Sequence, residues 1–135
     1  MSKSNYLEAA ILNWRRGTAM PTAPTTLYFC LSTANPGEAG AGVAEPSGGA
    51  GYARQALTLA APVQGGDEAT SASSADVTFG PASSSWGTIT HAFISDSGTI
   101  GAGNILDFGA LTAAQIINAG GTLRFPAGSI TVGES

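Results

Sequence analysis

The chain changes its hydrophobic period once, near residue 25, and this change limits the folds that it can adopt. Before this point, Leu7, Ile11 and Trp14 recur at helical spacing. After it, apolar and polar residues alternate in short runs that Gly, Pro, Ser and Thr interrupt. Such alternation is typical of strands with one buried face. The sequence therefore predicts one short N-terminal helix followed by a mainly β domain.

The helix is predicted over about residues 6–16, between a capping signal and a glycine. Asn5 and Glu8 have the spacing of an N-cap pair, and Gly17 follows the last apolar position. Two X-Pro pairs then exclude further helix, so 17–24 is predicted to be an extended connector. The apolar face of this helix has two candidate partners, its own domain or another protein.

Seven later segments have the alternation or the composition of strands, and turn signals such as Asp96-Ser97-Gly98 separate them. A further stretch, 113–118, is ambiguous between a helical turn and a strand. We therefore predict a single domain, 1–135, built as an antiparallel β-sandwich or barrel of about seven strands. The predicted strands are 25–33, 52–60, 76–79, 86–95, 104–111, 122–125 and 129–132.

The segment 34–51 is too rich in glycine and proline, and too poor in large apolar residues, to form a core element. It is predicted to be a long surface loop. Loops of this length inside a compact domain are usually functional or disordered. Two interpretations stay open, an arm that orders against a neighbouring protein and a flexible decoration of the surface.

Composition and charge exclude several classes of partner. The chain contains 24 Ala, 19 Gly, 14 Ser and 14 Thr, so that 71 of its 135 residues are small, and only 10% are charged. The net charge of −4 offers no basic surface for nucleic acid and no polybasic patch for a membrane. No apolar run approaches the roughly 20 residues that span a bilayer, and the N-terminus is not typical of a signal peptide. We expect neither a nucleic-acid nor a membrane partner.

Residues that carry chemistry are few and scattered. His91 is the one histidine and lies mid-strand, so a structural role is favoured over a base for hydrolysis. Cys30, the one cysteine, has the position of a small buried residue. The carboxylates of Asp67, Glu68 and Asp107 stand in loops or on separate strands. We expect no catalytic residue, no cofactor and no metal site; an enzyme that depends on His91 is the rival hypothesis.

Four motifs occur in a fixed order: NYLEAAILNW, the strand motif LYxxLST, a Gly/Pro loop that ends in GYAR, and WGTITH. Over about residues 5–131 this ordered set resembles a family of small virion proteins of tailed bacteriophages, commonly labelled tail-fibre-like. The resemblance implies a non-enzymatic β-structured component of the virion, assembled in the host cytoplasm.

The first hypothesis within that family is a head decoration, or cement, protein that clamps the major capsid protein, as a homotrimer. The alternative is a tail-tip or tail-fibre-associated subunit that contacts tail proteins, with a receptor-binding role in which Tyr52 or Trp86 would be stacking platforms. The residues predicted to bind a partner come from the helix, from the loop and from the strand that follows it. They are Tyr6, Leu7, Ile11, Trp14, Pro36, Glu45, Pro46 and Tyr52.

Overall fold

The computed structural model describes residues 1–134, which form ten strands and one α-helix. The helix α1 spans Asn5–Arg15 and follows a two-residue strand, and one turn of 3-10 helix, Gly48–Ala50, lies in the long loop. The strands are β1 (Ser2–Lys3), β2 (Leu27–Ser32), β3 (Gln55–Leu57), β4 (Val63–Gly65), β5 (Glu68–Ala72), β6 (Val77–Phe79), β7 (Gly87–Ser95), β8 (Ile105–Ile117), β9 (Leu123–Phe125) and β10 (Thr131–Glu134).

All strand pairs are antiparallel and belong to three sheets. The main sheet has the order β1-β8-β7-β2-β3, and two smaller sheets have the orders β10-β5-β4 and β6-β9. The predicted mainly β, antiparallel fold with one N-terminal helix is confirmed. Within residues 1–134 the sheets do not close into a barrel.

The strand count differs from the prediction because three strands lack an apolar alternation. Strand β1 has two residues, β4 reads VQG and β5 reads EATSA, and none of them shows the pattern that identifies a buried face. The ambiguous stretch 113–118 is a continuation of β8, which runs to Ile117 beside the start of β7.

The main core lies between one face of the main sheet and the two smaller sheets. Phe29 and Leu31 of β2 are buried there with Phe79 of β6, and the Phe29 and Phe125 rings meet edge to face at 4.9 Å between centroids. The opposite face of β2 is also covered, since Cys30 and its cross-strand neighbour Phe93 are fully buried. Strand β2 is therefore the centre of the molecule.

The start of α1 is tied to strand β8. The N-cap is Ser4, a correction to the predicted Asn5, because Ser4 has extended backbone angles whereas Asn5 is already helical. The Ser4 hydroxyl accepts a hydrogen bond from Leu7 N at 3.3 Å and donates one to the Ile105 carbonyl. Ser4 N donates to Leu106 O at 2.9 Å, so the first turn is fixed to the main sheet.

Candidate functional site

A buried ion pair holds the long loop on its own domain. The Arg54 guanidinium donates from Nε to Glu45 Oε1 at 2.9 Å and from Nη2 to Glu45 Oε2 at 2.7 Å. The two side chains are only 3% and 4% exposed. A buried two-point pair of this kind is geometrically specific. Through Glu45, the second half of segment 34–51 is therefore fixed to Arg54, the residue just before strand β3.

The same guanidinium also organises the turn between β7 and β8. Arg54 Nη1 donates to Ser95 Oγ at 3.1 Å and to the carbonyls of Ser97 and Ala102 at 2.8 and 2.9 Å. Its planar head lies over the Phe93 ring, 5.5 Å from the centroid. One side chain thus joins segment 34–51, the 96–104 turn and the main sheet.

Tyr52 belongs to this network and to the core. Its hydroxyl donates to Glu45 Oε1 at 2.9 Å and accepts from Leu31 N at 3.0 Å. Its ring packs edge to face on Trp86, with 5.6 Å between centroids. Burial raises the pKa of Tyr52 above its usual range, with nearby Glu45 adding to the effect. Tyr52 therefore stays neutral and holds the loop to β2.

The four predicted partner-binding residues from the loop region lie inside the molecule. Pro36 and Pro46 are buried, Glu45 is enclosed by Arg54 and Tyr52, and Tyr52 is 3% exposed. Glu45 and Tyr52 belong to the network just described, Pro46 follows Glu45 in the chain, and the Pro36 carbonyl accepts a hydrogen bond from Gly42 N at 3.0 Å. Their role in binding a partner stays a prediction, and their observed contacts are with their own chain.

The four predicted residues on α1 form a second group, which reaches the surface. Leu7 and Ile11 are half-buried, Tyr6 is 37% exposed and Trp14 is 61% exposed. The buried residue of the helix is Ala10, in its middle. The apolar stripe therefore begins against the domain and ends in solvent at Trp14.

Residues 12–16, which we call the helix tip, combine large apolar groups with positive charge. Leu12 is 56% exposed, and Arg15 and Arg16 flank Trp14 at the surface. The sequence prediction missed Leu12 because it lies off the i, i+4, i+7 stripe. An apolar residue on the polar side of a helix was the signal that could have identified it.

The positive charge of the molecule is concentrated at this tip. Of the five basic residues, Lys3, Arg54 and Arg124 pair with Glu134, Glu45 and Asp76 respectively. Within the described residues, Arg15 and Arg16 form no such ion pair, and Arg16 donates to the Asn13 amide oxygen at 3.3 Å. The tip is therefore a basic, apolar projection on an otherwise acidic protein.

The prediction that Tyr52 or Trp86 presents a stacking platform is wrong. Both side chains are buried, at 3% and 4% exposure, and Trp86 Nε1 donates to Ala50 O at 2.9 Å inside the core. A stacking surface must be open on one side, and neither ring has an open side.

The residues considered for catalysis occupy structural positions. His91 is half-buried and its Nδ1 lies 2.8 Å from Thr90 Oγ1. Cys30 is buried as predicted, and burial raises the pKa of its thiol above the usual range, which keeps it protonated and unreactive. Among residues 1–134 there is no cluster of three His, Cys, Asp or Glu side chains that could hold a metal ion.

Comparison with known families decides the class. A family model described as "Podophage GP4 fiber I protein gp80" matches residues 2–133. The chain belongs to this family. No curated protein matches the chain. The predicted resemblance to phage virion proteins is confirmed, and this gp80 fibre family makes the chain a structural component of a phage virion.

None of the helices in residues 1–134 has the length and apolar character to cross a bilayer.

Proposed function

We propose that this protein is a non-enzymatic structural subunit of a phage tail fibre, joined to neighbouring virion proteins through the surface of α1. The observation that carries the proposal is the match to a fibre protein family over residues 2–133. The fold supports it, because a compact antiparallel β domain with a projecting apolar helix tip offers a rigid body and an attachment point.

The helix tip is the favoured attachment surface because its composition is that of binding hot spots. Tryptophan and arginine are the residues most enriched where truncation costs binding energy. Trp14, Arg15 and Arg16 are contiguous and exposed, and Leu12 extends the apolar surface. The partners expected from this assignment are tail proteins and further copies of the same chain.

Head decoration of the capsid is the competing assignment, and it is the less favoured one. The features that favour it are the small size of the chain, the scarcity of chemically active residues, the N-terminal helix and the loop 34–51 as an arm that reaches a neighbouring capsid subunit. The contacts of Glu45 with Arg54 and Tyr52 hold that loop to its own domain, which weakens the case for an arm on the capsid. The description of the matching family as a fibre protein supports the tail assignment.

The experiment that tests the proposal is gold labelling of intact virions with antibodies against this protein, viewed by electron microscopy. We expect gold on the tail appendages. Antibodies absorbed with the purified protein are the control for specificity. Gold distributed over the head surface would overturn the tail assignment in favour of decoration. Particles that are unlabelled and that also lack the protein by immunoblotting would overturn both the tail and the head assignment.

A further inference from the structure

An apolar groove lies beside the first half of α1, between the helix and the connector that follows it. Its walls include Leu7 and Ala10 of the helix and Met20, Pro21 and Ala23 of the connector, and Asp96 also lines it. The groove has a volume of about 280 Å³. Because a dry cavity of about 150 Å³ accommodates benzene, this groove is large enough for the two rings of an indole.

The groove does not hold the chain's own tryptophan. Trp14 is seven residues beyond Leu7 on the same stripe, which places it roughly 10 Å farther along the helix axis. Its side chain is 61% exposed, whereas a ring seated in the groove would be covered. The helix tip and the groove are thus two separate apolar features on one molecule.

The charges of the two features are opposite. The tip carries Arg15 and Arg16, whereas Asp96 is the charged residue in the lining of the groove. The chain as a whole has nine acidic residues and a net charge of −4. A second copy, which is acidic overall, therefore presents to the basic tip an apolar groove lined by one carboxylate, and such complementarity favours association.

We infer that the helix tip of one copy docks in the helix groove of a second copy, with the Trp14 indole between α1 and the connector. The inference rests on the proposed function in one respect only, namely that the contact would serve fibre assembly. Since tip and groove are different surfaces, the contact is head-to-tail, and it closes into a ring or extends as a filament according to its rotation. The homotrimer predicted from the sequence is one such ring.

The test measures the mass of the purified full chain by sedimentation equilibrium from about 10 μM to about 1 mM, a range that covers small and therefore weak interfaces. The wild type is expected to exceed its monomer mass of 13.4 kDa increasingly with concentration. Trp14→Ser, which removes the ring, and Ala23→Arg, which blocks the groove and adds a repelling charge, should each weaken association at least tenfold. Ile116→Ser is the matched control, because Ile116 is 69% exposed on β8 and should leave association unchanged.

Mixing the two defective variants gives the sharpest result. Trp14→Ser retains an intact groove and Ala23→Arg retains an intact tip, so together they should form a 1:1 pair of twice the monomer mass that does not grow further. Raising the salt concentration should weaken the wild-type association, because the contact joins opposite charges.

Three outcomes would overturn the inference: a wild type that stays monomeric up to about 1 mM, a Trp14→Ser variant that associates like the wild type, or a mixture that forms no pair. Circular dichroism confirms that each variant is folded, and if Ala23→Arg is not, Arg15→Glu replaces it as the test of weakened association. A failure here leaves the gold labelling of virions unaffected, so the inference and the proposed function fail independently.

Discussion

At the scale of single residues, the position of the loop 34–51 depends on two opposite charges that are buried together. Glu45 and Arg54 are nine positions apart in the chain and nearly inaccessible to solvent. Removing one member of a buried pair leaves an uncompensated charge in a medium that solvates it poorly. The pair Asp76–Arg124 also has two hydrogen bonds, from Nε and Nη2 to the one oxygen Asp76 Oδ2, but it lies at the surface, where water and salt screen the attraction.

Glu45→Gln is therefore expected to lower the free energy of unfolding by roughly 3 kcal/mol or more, because Arg54 would keep its buried charge without a counter-charge. Asp76→Asn is the matched control and should cost much less, because water and salt already screen that surface pair. Urea denaturation followed by tryptophan fluorescence measures both. Equal losses for the two variants would contradict the role given to the buried network.

The raised pKa of Asp107 predicts that the stability of the fold depends on pH. Burial, and then the charge of Glu134, raise the pKa of this carboxyl to about 6, although Lys3 and the N-terminal amine oppose the shift. A carboxyl whose pKa is higher in the folded than in the unfolded chain stabilises the fold when protonated, and this contribution is lost as the pH rises through about 6.

Asp107→Asn, which is neutral at every pH, should therefore raise stability relative to the wild type by roughly 1–2 kcal/mol at pH 7.5 and by almost nothing at pH 4. Thermal or urea unfolding across that range gives the difference directly. The control Asp67→Asn changes an exposed carboxyl in the β4–β5 turn and should show no such trend. A gain for Asp107→Asn that is the same at both pH values would contradict the explanation.

At the scale of elements, the turn between β7 and β8 shows how glycine permits a close approach. Gly101 and Gly103 both have positive φ angles, of 78° and 82°. A Cβ at Gly103 would lie 2.5 Å from Ser97 Cβ and 2.6 Å from Asp96 Oδ1, whereas one at Gly101 would have no neighbour within 4 Å. Both sites require the left-handed conformation, and only Gly103 also requires the absence of a side chain.

Gly101→Ala should then cost about 1 kcal/mol from backbone strain alone. Gly103→Ala should cost at least about 1 kcal/mol more, since the added methyl group would push apart Asp96 and Ser97, whose contacts with Asn104 and Arg54 hold the turn. Urea unfolding compares the two variants. Equal costs would show that the turn relaxes around the methyl group.

The elements that the sequence predicts correctly are those with a periodic apolar signal. Phe29 and Leu31 alternate with polar neighbours and identified β2, and Leu7, Ile11 and Trp14 identified α1. Strands β4 and β5 were not predicted because β4 exposes all three of its residues and the half-buried residues of β5 are the small Ala69, Ser71 and Ala72, which give no apolar signal. The Glu45–Arg54 network could not be predicted, because residues in irregular segments show no periodic pattern in the sequence. Two of the Arg54 acceptors are backbone carbonyls, which every residue type provides and which the sequence therefore does not reveal.

At the scale of the whole molecule, the packed sheets and the exposed end of α1 are distinct parts of the fold. The main sheet, the smaller sheets and the Arg54 network hold distant parts of the chain together, including the loop 34–51. Four of the eight exposed large apolar side chains lie on α1 and its connector: Tyr6, Leu12, Trp14 and Met20. This division fits a subunit that is added to a fibre as a preformed unit.

The central claim, that this protein is a tail-fibre subunit, is tested most directly by its copy number per virion. Quantitative mass spectrometry of purified particles, with isotope-labelled peptides and the major capsid protein as internal standard, measures that number. A tail-fibre subunit should be present in a few tens of copies or fewer, because the tail of a virion offers few equivalent sites. Hundreds of copies, in a simple ratio to the capsid subunits, would contradict it and place the protein on the head; absence from the particle would contradict any structural role in the virion.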